Sequence, residues 1–115
     1  MRRGDIWMVD FSTPKGSEAA FRRPAVVASN NSANRSASDS AHGVVTVVPV
    51  TSNLRRVYPF QVRLRARDCG LPRDSKAQAE QIRAVAVERL DSRIGRVPNN
   101  TMAAIDAALR LHLNL

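Results

Sequence analysis

Arg23, Thr51, Ser52 and Glu18 are the residues of this chain whose types and positions could do chemistry together. Arg23 stands immediately before Pro24, so its backbone is held extended and its guanidinium is aimed. Glu18 closes the run Gly16-Ser17-Glu18 a few residues earlier, and Thr51-Ser52 follows the valine-rich stretch Val44–Val50. Such loop and strand-end positions are where sites usually lie. A fixed guanidinium and a hydroxyl hydrogen stabilise negative charge as it builds on an oxygen, and a carboxylate can take a proton. A plainer reading exists. Glu18 with Arg22 or Arg23 is then a surface ion pair of little worth, Thr51-Ser52 is an ordinary turn, and spacing alone favours this version.

Other chemistries are poorly provided for. The sequence has no Gly-x-Ser-x-Gly elbow, no His-Glu-x-x-His pair and no Walker ending after Gly16-Ser17. His42 falls in a polar loop and His112 at a helix end, where both read as ordinary surface residues. With two histidines and one cysteine, Cys69, there is no zinc-ligand spacing and no internal disulfide, so neither metal nor cofactor is expected. A lone cysteine fits a reducing cytoplasm. Arg2 and Arg3 are followed by Asp5 and Asp10 with no apolar h-region, and nothing approaches a membrane span, so an unprocessed cytoplasmic protein is expected.

Charge narrows the partner. Among 115 residues, 18 Lys and Arg oppose 10 Asp and Glu, a net charge of +8, and Lys15 and Lys76 are the only lysines. Guanidinium groups match phosphate bidentately, so this balance fits a phosphate-bearing partner. Codon composition accounts for the preference for arginine but not for the net charge. Aromatics make up 4% of the chain, which leaves few rings for stacking bases and a core resting on Val, Leu, Ile and Ala.

The elements that must hold these residues are mostly strands. Ile6–Phe11 and Ala25–Ser29 read as short apolar strands joined by the breaker-rich loop Ser12–Arg22. Asn30–Gly43 is Asn/Ser/Ala-rich and reads as a long surface loop with at most one helical turn. Val44–Val50 is a strand buried on both faces whose ladder stops or bulges at Pro49. Leu54–Pro59 is basic and exposed, Phe60–Arg65 alternates with its arginines on the wet face, and Asp68–Pro72 is a turn. Ser75–Val87 fits helix by alanine content and strand by alternation; two short strands broken near Gln81 are the preferred reading, with one turn at Glu88–Leu90. Ile94–Val97 is a short strand. Asn100–Leu113 is a helix capped by Asn99 or Asn100, with Met102, Ile105, Leu109 and Leu113 along one face. Trp7 and Phe21 read as core or loop-packing residues in preference to platforms for stacking bases. The whole is one domain, residues 1–115, mainly β with α: a small barrel with a packed C-terminal helix.

Several of these segments, in order, resemble one family. Met-Arg-Arg-Gly-Asp-Ile-Trp-Met-Val-Asp-Phe, Lys-Gly-Ser-Glu and Arg-Arg-Pro-Ala-Val-Val-Ala-Ser-Asn are similar to the opening of the MazF/PemK/Kid family of bacterial toxins. Val-Val-Pro-Val-Thr-Ser-Asn, Tyr-Pro-Phe-Gln-Val, Ala-Glu-Gln-Ile-Arg and Arg-Ile-Gly-Arg-Val resemble its later parts, so the likeness covers essentially the whole chain. It implies an SH3-like barrel with a C-terminal helix, a homodimer, sequence-selective, metal-independent cleavage of single-stranded RNA at short sequences (mRNA first, with rRNA and tRNA as alternative targets), and an antitoxin whose flexible acidic tail occupies the RNA groove. It places the catalytic arginine on Arg23 and the catalytic hydroxyl on Thr51, with Ser52 a neighbour sharing the role and Glu18 a carboxylate important in some members. Ser75 and Gln81 fall in the later motif as RNA contacts. Arg22 is a further RNA contact, and Arg55, Arg56, Arg63 and Arg65 are either a phosphate track or a solvated face. Ala19-Ala20-Phe21 departs from a more glycine-rich stretch in some members. Two rival readings share the fold: a nucleic-acid-binding barrel without catalysis, and a toxin that poisons DNA gyrase.

Overall fold

Valine placement explains the centre of the fold. The computed structural model describes residues 1–19, 21–40 and 42–115, so the stretches 19–21 and 30–43 read above each contain one residue, Ala20 and Ala41, outside the described set. The strands are β1 (Asp5–Asp10), β2 (Arg22–Val27), β3 (Val44–Thr51), β4 (Gln61–Leu64), β5 (Ser75–Gln78), β6 (Arg83–Ala86) and β7 (Leu90–Arg96). The helices are α1 (Asn31–Asp39), α2 (Ala66–Cys69) and α3 (Asn99–Leu113). All strand pairings among the described residues are antiparallel, in the order β4-β5-β3-β2-β1-β7, with β6 also on β3.

β3 is the hub because its side chains are apolar on both faces: Val45, Val47, Val48 and Val50 are all buried. One edge of β3 pairs with β2, and the other with β6 over Val44–Val47 and then β5 at Val50 and Thr51. Pro49 falls in the gap between those two partners. The ladder therefore breaks on one edge only, at the residue with no N–H to donate, while β3 itself runs on to Thr51. Two apolar clusters lie on opposite faces. Ile6, Val26, Val48, Val50 and Leu64 pack with Met102 and Ile105 of α3; Val9, Phe11, Ala25, Val45, Val47 and Val85 pack with Ala37 of α1. No hydrogen bonds join β4 to β7 among the described residues, so the barrel is open.

Several expectations need correction. Asn31–Asp39 is a nine-residue helix where a surface loop was expected. Its stability is polar: Asn30 accepts the Ala33 amide at 2.8 Å, and the fully buried Asn34 donates to the Ser29 carbonyl at 2.9 Å. The turn at Asp68–Pro72 contains the end of α2, closed by Gly70 at φ 79°. The last strand starts at Leu90 rather than Ile94. The final helix begins at Asn99 after Pro98, without a side-chain cap from either asparagine onto the helix as expected; Asn100 Oδ1 instead accepts the adjacent Thr101 amide at 3.0 Å. On its apolar face Ala108 is buried, whereas Leu113 is exposed. The two short strands around Gln81 are β5 and β6, separated by a 3₁₀ turn, Ala79–Gln81.

Gly95 is required where α2 crosses β7. A Cβ there would lie 1.8 Å from the Cys69 carbonyl oxygen, so only glycine lets the two backbones meet.

Candidate functional site: a cationic cleft at the ends of three strands

Strand register brings the first candidates together. Ala25 of β2 faces Pro49 of β3, and Val26 faces Val48. Two residues further outward along both strands, Arg23 comes level with Thr51 and points to the same side, since side chains alternate with a period of two. Arg23, Thr51, Ser52 and Ser75 line one open cleft of about 340 Å³. Pro24, Leu71 and Pro72 give it apolar walls, and Arg73 adds a second cation. The residue types offered by the sequence thus meet in one place.

Each polar group there is held from its own side of the cleft. The Arg23 backbone is fixed by pairing with Val9 across β1. Thr51 Oγ1 accepts the Asn53 amide at 3.2 Å, which turns the strand end and leaves the hydroxyl hydrogen to donate elsewhere. Ser75 is buried and spends its hydroxyl hydrogen on the Arg73 carbonyl at 2.9 Å, so it shapes the loop that carries Arg73. Ser52 is exposed.

Other candidates lie elsewhere. Glu18 is exposed and borders a separate cleft with Glu80, Gln81 and Arg83. Gln81 is structural: its Oε1 accepts the Ala19 amide at 3.1 Å and its Nε2 donates to the Ser17 carbonyl at 2.9 Å, pinning the β1–β2 loop. The Arg22 guanidinium pairs with Asp91 of β7 at 2.5 Å rather than with Glu18, although Arg22 also borders the Arg23 cleft. Arg55 and Arg56 border a third depression with Asn53, Tyr58 and Lys76, where Arg56 lies 4.7 Å from the Tyr58 ring centre. Arg63 and Arg65 line a fourth with Arg67 and Asp74.

Two cleft residues were not read as functional from the sequence. Arg73 looked like one arginine among many, and only the closure of the Gly70–Pro72 turn against β3 brings it to Thr51. Phe21 was expected to pack into the core or its loop; it is 63% exposed and lines the Arg23 cleft. Trp7 does pack against the core cluster around Val9.

Cysteine chemistry finds no support here. Burial, and then the neighbouring Asp68 charge, push the Cys69 thiol above its ordinary value, so it stays protonated and unreactive at neutral pH. Among the described residues no three His, Cys, Asp or Glu side chains gather as metal ligands, and no helix is long and apolar enough to cross a membrane.

An open antiparallel barrel bearing arginines and hydroxyls at its strand ends defines the class: a small, strongly basic β protein with a cationic cleft. The model of the PemK-like, MazF-like toxins of type II toxin–antitoxin systems matches residues 2–113, and the chain belongs to that family. It is 58% identical over 115 residues to endoribonuclease MazF9 of Mycobacterium tuberculosis (strain ATCC 25618 / H37Rv), covering 100% of this chain and 98% of the relative. It is 31% identical over 116 residues to endoribonuclease EndoA of Bacillus subtilis (strain 168), covering 100% and 96%. A mycobacterial endoribonuclease in complex with its cognate antitoxin superposes with a TM-score of 0.78 at 27% identity, covering 100% of this chain and 96% of that one. The crystal structure of MazF (Form-I) from Deinococcus radiodurans shares the fold, with a TM-score of 0.83 at 24% identity over 100% of this chain and 97% of that one.

Proposed function

We propose that this chain, as a single toxin domain over residues 1–115, is a metal-independent endoribonuclease that cuts single-stranded RNA and so inhibits translation. The observation that carries the reading is the meeting of Arg23 and Thr51 in one cleft, at the positions the family resemblance gives to catalysis. RNA supplies its own nucleophile. The 2′-hydroxyl gives its proton to solvent as its oxygen bonds to phosphorus, the bond from phosphorus to the 5′-oxygen breaks, and that leaving oxygen takes a proton from solvent, so the products are a 2′,3′-cyclic phosphate and a 5′-hydroxyl. The guanidinium of Arg23 meets the charge that builds on the phosphoryl oxygens, and Thr51 donates a second hydrogen bond to the same group. Ser52 supports that phosphate, Ser75 acts indirectly by shaping the loop that carries Arg73, and Arg73 holds the neighbouring phosphate.

Names of the relatives support the activity, and the mycobacterial complex supports a cognate antitoxin as partner. A flexible acidic tail suits a groove with this charge. The homodimer and the cytoplasmic location belong to the same reading; exposed Leu111, Leu113 and Leu115 at the end of α3 offer apolar surface for a second copy.

Purified protein incubated with a long unstructured transcript and a chelator tests the activity. Discrete cuts ending in 5′-hydroxyl groups are expected, with DNA of the same sequence intact. Retardation without cutting would favour a binding barrel instead. Arg23→Ala is expected to lower cleavage at least about a hundredfold, about 2.7 kcal/mol of barrier, while RNA stays bound. A variant that cuts at the normal rate overturns the assignment.

A further inference from the structure

We propose that Phe21 is a stacking platform for a nucleobase flanking the phosphate held by Arg23, an inference that rests on the endoribonuclease reading above. Three observations carry it. Phe21 is the aromatic residue of the Arg23 cleft, and its ring is 63% exposed rather than buried. Its backbone is left-handed at φ 54°, a conformation that a non-glycine side chain adopts only under strain. That conformation is fixed from both sides: the Phe21 amide donates to the Ser12 carbonyl at 2.7 Å, and the Phe21 carbonyl accepts the Phe11 amide at 2.7 Å. Ser12 is left-handed too, at φ 61°, and its hydroxyl accepts from Arg89 at 2.7 Å. The loop is therefore pinned at both ends so that a ring stands out beside the cleft.

A buried ring would explain such strain by packing, but this one is mostly in water. Glycine would fill the position without strain. The ring's surroundings identify its ligand. Arg23 and Arg73 supply cations, Thr51 and Ser52 supply hydroxyls, and Pro24 and Leu71 supply apolar wall. A ligand with an anionic link beside a flat apolar body matches that combination, and a nucleotide has both. Stacking is tolerant of base identity because every base presents a π face. Phe21 therefore adds affinity and aligns the nucleotide, while hydrogen bonds elsewhere choose the sequence.

Binding to uncleavable strands tests this without relying on cleavage. The probes are a mixed-sequence 12-nucleotide 2′-fluoro RNA and an abasic strand of the same length and charge. Wild-type protein is expected to prefer the base-bearing strand, and Phe21→Gly to reduce that preference by about tenfold. Phe21→Trp should restore it. Phe21→Gly should melt at the same temperature as wild type or higher, because it relieves the left-handed strain, so a loss of binding is not a loss of fold. A Phe21→Gly protein that keeps the wild-type preference overturns the proposal. So does one that binds RNA normally but shifts the oligomeric state by sedimentation, which would assign the ring to a contact between copies. Transcript cleavage in chelator is the separate arm. Cutting with unchanged binding in Phe21→Gly sinks the platform alone; lost base preference in a protein that cuts nothing sinks the nuclease alone.

Discussion

A single hydroxyl hydrogen separates the two readings of Thr51. As a turn residue it needs only an acceptor oxygen for the Asn53 amide; as a catalytic residue it must also donate to the phosphate. Thr51→Ser keeps both, and Thr51→Val keeps shape but loses the hydroxyl. Valine is expected to lower the single-turnover cleavage rate about tenfold or more with little change in RNA affinity, whereas serine stays near wild type. Valine also removes the acceptor for the Asn53 amide, so a valine variant that loses RNA affinity in step with cleavage would make Thr51 a turn residue only. Arg23 and Thr51 were set together in the sequence by the family resemblance, since spacing alone favours a surface ion pair and an ordinary turn; that β2 and β3 lie side by side became visible only in the fold. Glu18 was not placed correctly beside Arg23 and Thr51, since nothing in Gly16-Ser17-Glu18 says which way an eleven-residue loop folds. Arg73 was hidden by the abundance of arginine.

Elements are held in place by polar ties that residue types alone do not announce. Asp5 of β1 accepts from Arg96 at 3.0 Å and lies 3.3 Å from Arg93, both on β7, and takes the Arg2 amide at 2.9 Å. Burial raises its pKa more than any other single influence does. The Arg2 amide and the Arg96 and Arg93 side chains together outweigh that, and hold the carboxyl below its ordinary 3.8. A carboxyl that titrates lower when folded stabilises the fold fully above its unfolded value and loses that contribution as pH falls through the folded one. Asp5→Asn is therefore expected to cost about 1–2 kcal/mol at neutral pH, discounted because both arginines are half exposed, and to flatten the loss of stability below pH about 4. Urea melts of both proteins across that range measure it. Gln81 ties the opposite end of β1 through its loop. Gln81→Ala should cost about 1 kcal/mol and speed hydrogen exchange at the Ala19 amide; unchanged exchange would remove Gln81 from its positioning role. The valine, proline and alternation patterns revealed the strands. Helix α1 was missed because a buried asparagine and a cap, rather than an apolar stripe, hold it to the sheet.

At the scale of the whole molecule the question is what a net charge of +8 does. Spread evenly it would only keep the protein soluble, but the structure divides the arginines into distinct groups. Arg23 and Arg73 share one cleft, Arg55 and Arg56 lie along the loop after Thr51, and Arg63, Arg65 and Arg67 line another depression with Asp74. Salt dependence counts how many of these meet phosphates of one strand. Each phosphate neutralised on a single strand contributes about 0.7 to the slope of log affinity against log salt. If Arg63 and Arg65 belong to the track, replacing both with alanine should weaken binding to an uncleavable RNA and lower that slope by about 1.4. Replacing Arg55 and Arg56 should do the same independently. A pair whose removal leaves the slope unchanged belongs to the solvated face, however basic it looks, and the RNA path then runs along the other pair.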